Sequence, residues 1–231
     1  MSEEKNNVDK RKRTQLIMWW FLPVIIIGGI FWPYLGFLVL AMMLFFLVLS
    51  AFKGRYWCGW LCPRGSFLER VFAPLSPGRK IPRLFKNTSL RWGLLTVLVG
   101  FMVFRLIMSG GVLAKIAFVF VTMCIITTVL AILLGLAFKP RTWCAICPMG
   151  TLQGVIGRRR NLLKISPDCT ECGTCGKVCP IGTAPSSMIR EGAVSSLDCL
   201  RCPECTARCP KSALAFPESE ASVAAVSGKA A

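Results

Sequence analysis

Residues 52–66 read FKGRYWCGWLCPRGS, and residues 138–151 read FKPRTWCAICPMGT. Both hold Phe-Lys, an Arg, Trp-Cys, then Cys-Pro and a Gly, in the same order. Working outward, each follows a long apolar run. No charged residue lies between Arg13 and Lys53, or between Lys115 and Lys139. The first run is about twice the roughly 20 residues that cross a bilayer. Trp32-Pro33-Tyr34 interrupts it: Pro opposes a continuous helix, and the aromatics suit a membrane interface. The reading is a helical hairpin, with spans from about Gln15 to Phe31 and from about Gly36 to Phe52. A cleaved signal peptide does not fit, because the apolar run is too long and lacks a small-residue cleavage site. A second hairpin follows, from about Trp92 to Met108 and from about Ile116 to Phe138, turning at Gly110-Gly111. Arg105 snorkels at its far end. The expected fold is therefore membrane α-helical: four transmembrane helices as two repeated hairpins in parallel topology, each closed by a Cys-Pro loop.

The formal net charge of +17 raises the question of nucleic acid. The cations lie mostly beside the apolar runs, and no aromatic-and-basic recognition motif accompanies them, so nucleic acid is not an expected partner. Residues 53–91 carry nine basic residues against the single acid Glu69, and Lys139, Arg141 and Arg158-Arg159-Arg160 repeat the bias after the second hairpin. The positive-inside rule places both termini and both Cys-Pro loops on the cytoplasmic side of a bacterial inner membrane. The arginine run is read as meeting anionic lipid heads.

There are 13 cysteines and no histidine. The absence of histidine excludes His-ligated haem, a CxxCH attachment, a Rieske centre and His-containing zinc fingers. A secreted disulfide scaffold would be small and loop-rich, which this chain is not. Residues 169–180 read CTECGTCGKVCP and residues 199–210 read CLRCPECTARCP. Both are C-x2-C-x2-C-x3-C-P, the bacterial ferredoxin run. Three thiolates on a tight loop hold three corners of an iron–sulfur cube, and the fourth cysteine serves the other cluster. One [4Fe–4S] cluster is assigned to Cys169, Cys172, Cys175 and Cys209, the other to Cys199, Cys202, Cys205 and Cys179. All-cysteine structural zinc is the alternative. Pro203 stands in the second run where Gly173 stands in the first.

The Cys-Pro loops supply Cys58 and Cys62, then Cys144 and Cys147. Pro63 and Pro148 suit the first turn of a following helix, with the preceding cysteine extended. Each loop thus presents thiols near a helix N-terminus, where thiolate is favoured. Two thiols from each repeat suggest one additional iron–sulfur centre shared between them. Redox-active dithiols beside a quinone, or inert packing cysteines, remain open. Cys124 reads as a small core hydrophobe. Trp19, Trp20, Trp32 and Trp57 read as interface anchors, Trp57 also as a shield for a cofactor.

The motifs WCGWLCPRG and WCAICPMG, with the two ferredoxin runs after paired spans, resemble the membrane polyferredoxins of the NapH, NosR and MauN type. The resemblance spans about residues 15 to 215. One departure is the CAICP of the second loop, where such proteins often have CxxxCP. Charge, hydropathy and composition divide the chain into a cytoplasmic N-terminal tail (1–14), a transmembrane domain (15–160), a small α+β di-cluster ferredoxin domain (161–215) and a disordered tail (216–231). The resemblance implies electron relay between quinone or quinol and a respiratory partner, which would be a reductase, a cytochrome c or a further ferredoxin-type subunit. A maturation factor for a metalloenzyme and a membrane redox sensor are the other function classes in view.

Overall fold

The computed structural model describes residues 2–217. The expectation of a disordered tail therefore lies, from residue 218 on, outside the described residues. Helix α1 (Ser2–Met18) runs into α2 (Phe21–Phe31), with Trp19 stacked on Trp20 at 4.2 Å where they meet. Pro33–Leu35 form a single 3-10 turn, and α3 (Gly36–Lys53) returns. The second pair is α6 (Thr88–Met108) and α7 (Leu113–Ala137), joined through Gly110 and Gly111 at φ 62° and 78°. Left-handed φ at two successive positions is what glycine alone adopts without strain. Asn87 caps α6 by accepting from the Ser89 amide at 3.0 Å.

Four helices, at 4–31, 33–53, 88–108 and 113–137, are long and apolar enough to cross a membrane. Their outward side chains fit lipid: Ile107 is 74% exposed. The two hairpins pack through small residues. A Cβ on Gly36 would fall 1.9 Å from the Ala117 carbonyl oxygen, so only glycine lets the start of α3 cross α7 this closely.

Between α3 and α6 lie α4 (Tyr56–Trp60) and α5 (Pro63–Arg70); after α7 come α8 (Thr142–Ile146) and α9 (Pro148–Ile156). Pro63 and Pro148 each occupy the first turn, and Cys62 and Cys147 precede them at ψ 115° and 126°. This is the local geometry expected of a residue before proline. The short helices fold back between the long ones and do not simply rest on their ends. Phe67 of α5 packs on Leu22, Ile25 and Cys124, the last near the middle of α7. Irregular backbone at that depth is tolerable because protein surrounds it.

The remainder forms a small lobe. Strands β1 (Lys164–Ile165) and β2 (Leu214–Ala215) pair antiparallel, and α10 (Thr174–Val178) carries part of the first cysteine run. Leu163, Ile165, Val194 and Leu214 form its core with Cys175 and Cys205.

The segment expected as a tail over residues 1–14 is helical from Ser2, and Val8 and Arg11 on it are buried. Arg11 and Gln15, one turn apart on one face, are both 0% exposed. Within the basic run Lys10-Arg11-Lys12-Arg13, Arg11 is neutralised by Glu69 and Glu204 at 2.7 and 2.6 Å. It also donates to the Gly59 carbonyl at 2.9 Å. Trp57 is likewise not an interface anchor. It is buried and stacks on Phe46 at 3.6 Å. Trp20 and Trp32 are exposed, and Arg158, Arg159 and Arg160 face outward.

Candidate metal centres

The two Cys-Pro loops interlock through their arginines. Arg55, three residues before Cys58, donates from Nη2 to the Cys144 carbonyl at 2.8 Å. Arg141, three residues before Cys144, donates from Nη1 to the Cys58 carbonyl. Each repeat therefore holds the backbone of the other at its first cysteine. The glycine of each Cys-Pro-x-Gly leaves room for this. A Cβ on Gly65 would meet Arg141 Nη1 at 2.9 Å, and one on Gly150 would meet Arg55 Nη2 at 2.5 Å.

A carboxylate steadies each arginine. Arg141 Nε donates to Glu69 at 2.6 Å, and Arg55 lies 3.7 Å from Asp198, which Arg91 also pairs at 2.8 Å. Burial pushes the Glu69 carboxyl up, but Arg141 and then Arg11 outweigh it and hold the group at about 2. Sequence reasoning missed this framework. The signals were present: an Arg at the same offset in both repeats, and Glu69 as the lone acid among nine bases.

Cys58 and Cys144 are buried, and Cys62 and Cys147 partly so. Burial pushes the Cys58 thiol up to about 12, opposed by Arg55, with Cys62, Cys144 and Cys147 raising it further. Cys144 is pushed to about 11 by burial, opposed by Arg141. The four thiols of the two repeats thus share one electrostatic neighbourhood. Cys58 donates to Gln153 Oε1 at 3.1 Å. Cys124 is buried as expected but is not in purely apolar company, since Arg64 Nη2 approaches its sulfur at 3.8 Å.

In the lobe, the two cysteine runs share a loop shape. The residue before the second cysteine is left-handed in both: Glu171 at φ 51° and Arg201 at φ 53°. They diverge one residue after it. Gly173 continues at φ 72°, a conformation closed to Pro203. In the second run the Pro203 carbonyl instead accepts from the Thr206 hydroxyl at 3.0 Å. Cys179 of the first run sits with the second. Burial pushes Cys202 up to about 12, and Cys179 and Cys199 act on it. Burial also raises Cys205, with Cys202, Cys199, Cys179 and then Cys175 contributing. Cys169, Cys175, Cys199, Cys205 and Cys209 all pack in the lobe core, while Cys172 is exposed.

Among the described residues no three Cys, Asp or Glu side chains converge on a single-ion position. The lobe meets the loops directly. Cys58, Cys144 and Ala145 share one buried core with Ile181, Leu200 and Cys202.

A family model described as a 4Fe-4S binding domain matches this chain twice, at residues 35–82 and 116–166. Both matches contain a Cys-Pro loop, and both end before Cys169. The two matches make the chain similar to 4Fe-4S proteins of the membrane polyferredoxin type. It is 27% identical over 177 residues to the uncharacterized protein MJ0749 of Methanocaldococcus jannaschii, covering 74% of this chain and 67% of that protein. It is 26% identical over 196 residues to the putative electron transport protein YccM of Escherichia coli, covering 71% of this chain and 51% of that protein. The methylamine utilization ferredoxin-type protein MauN of Methylorubrum extorquens is 28% identical over 149 residues, covering 59% of this chain and 50% of that protein. No solved structure matches this chain.

Proposed function

We propose that this chain is a membrane polyferredoxin that relays electrons between the quinone pool and a soluble or membrane redox partner, with its metal centres on the cytoplasmic side of the membrane. Cys58, Cys62, Cys144 and Cys147 hold one iron–sulfur centre that bridges the two repeats. Cys179, Cys199, Cys202 and Cys205 hold a [4Fe–4S] cluster next to it, and Cys169, Cys172, Cys175 and Cys209 hold a second, farther out. Bound clusters supply one-electron transfer. The chain supplies burial, spacing and the nearby guanidinium charges, which favour thiolate ligation and influence potential.

The single observation behind this order is the buried core in which Cys58 and Cys144 touch the segment carrying Cys202. That contact leaves no solvent layer between the membrane loops and the lobe. Cys172 is exposed, and a partner would exchange electrons there. The printed names of the Escherichia coli and Methylorubrum relatives agree with electron transfer. The test is rapid mixing of anaerobic protein with a soluble quinol, followed by freeze-quench EPR. Quinol-dependent reduction of iron–sulfur signals is expected. Clusters reducible by dithionite but indifferent to quinol would overturn the quinone link.

A further inference from the structure

A cavity of about 150 Å³ lies among α3, α6, α7 and the two Cys-Pro loops. Most of its wall is apolar, including Met102 and Phe120, and Cys147 forms part of it. A cavity of about this size accommodates a single six-membered ring. Two of its lining residues, Arg64 and Trp143, carry buried N–H groups, Arg64 Nε and Trp143 Nε1, that meet no acceptor among the described residues. No carboxylate pairs with Arg64 among those residues either, and its recorded contact is the weak acceptor Cys124. A charged group at membrane depth without a carboxylate partner marks a site for a ligand. A buried donor left unmet is costly, so the occupant should bring an acceptor.

The guanidinium argues against a metal cation here despite the methionines on the wall, because like charges repel. An acyl chain would fill the volume but satisfy neither donor. Val99, at the edge of the cavity on α6, is 41% exposed on the lipid-facing surface, so the cavity is reachable from the bilayer.

We infer that this cavity binds the ring of a membrane quinone, with a ring oxygen accepting from Arg64 and Trp143 and the isoprenoid tail leaving past Val99. The ring would lie against Cys147, a proposed ligand of the bridging centre. Arg64 is a positioning and recognition residue on this reading. The equivalent residue of the second loop, Met149, lines the same cavity. One loop thus supplies the polar contact and the other an apolar wall. The inference rests on the quinone reading above and locates it.

The test is photolabelling of the full-length protein in lipid nanodiscs with an azido-substituted ubiquinone analogue, and peptide mapping by mass spectrometry. Labelling should fall on α6 or α7 beside the cavity and be displaced by excess unlabelled quinone. Arg64→Leu should raise the concentration for half-labelling about tenfold to a hundredfold, as expected for a lost hydrogen bond to a charged donor. Arg64→Lys should recover part of it. Met102→Trp and, as a second blocking variant, Val99→Trp should abolish it while iron content and the dithionite-reduced EPR spectrum stay unchanged. Saturable labelling elsewhere, untouched by these variants, would overturn the cavity and leave the quinone reading standing. Absence of saturable labelling anywhere would overturn both. A co-purifying acyl chain recovered from the cavity, with no quinone displacement, would also overturn the inference.

Discussion

The first Cys-Pro loop places three residues between its cysteines and follows with Pro63-Arg64; the second places two and follows with Pro148-Met149. Both share the arginine that reaches across, the glycine that receives it, and the proline that starts a helix. What they share builds the frame, and what differs assigns each loop a side. Arg64 faces the membrane cavity with a polar group, where Met149 offers only an apolar wall. Gly59 of the first loop lies against the lobe. A Cβ there would fall 2.2 Å from the Leu200 carbonyl oxygen, while the matching position in the second loop is the buried Ala145. The carboxylates differ as well, since Arg141 is held by Glu69 within the membrane half and Arg55 faces Asp198 of the lobe.

The largest expected effect comes from breaking this frame at Glu69. It is the shared partner of two arginines that are 0% and 1% exposed. Glu69→Gln should cost about 3–5 kcal/mol, the usual consequence of orphaning buried charge. Thermal unfolding in detergent would measure it. Because the folded-state pKa is depressed to about 2, the carboxylate's contribution is fully present above the ordinary carboxylate range. It fades as pH falls through about 2. Glu69→Gln should flatten that acid limb of the stability profile.

A smaller effect tests the lobe contact. Gly59→Ala would press on backbone, which yields poorly, and should cost about 1–3 kcal/mol. Faster hydrogen exchange around Leu200 should accompany it. The smallest effects compare the two receiving glycines. Gly150→Ala meets a guanidinium nitrogen at 2.5 Å, and Gly65→Ala meets one at 2.9 Å. Both neighbours are ends of flexible side chains, so each should cost about 1 kcal/mol or less, with Gly150→Ala the larger. Equal shifts in melting temperature, or a larger one for Gly65→Ala, would break the expected ranking.

The four long helices, the turns at Pro33 and Gly110-Gly111, and the helix starts at Pro63 and Pro148 were legible in the sequence. Each follows from a local rule about hydropathy, φ or the residue before proline. Arg11, Glu69, Arg141 and Asp198 were not assigned roles. Their burial depends on partners 58 to 193 residues away, for example Arg11 with Glu69 and Glu204. Arg64 was equally hidden, since the loop's return between the helices is a tertiary event that hydropathy does not encode. The inward packing of α1 was masked by its composition: a basic run reads as solvated until a carboxylate is found facing it.

The central claim is that the two loops together hold a centre linking membrane to lobe. Cys62→Ser and Cys147→Ser, purified anaerobically, test it through iron per chain alongside quinol-driven EPR reduction. The account predicts less iron than the parent protein, lobe clusters still reducible by dithionite, and loss of quinol-driven reduction in both variants. Full iron with full quinol-driven reduction would contradict it.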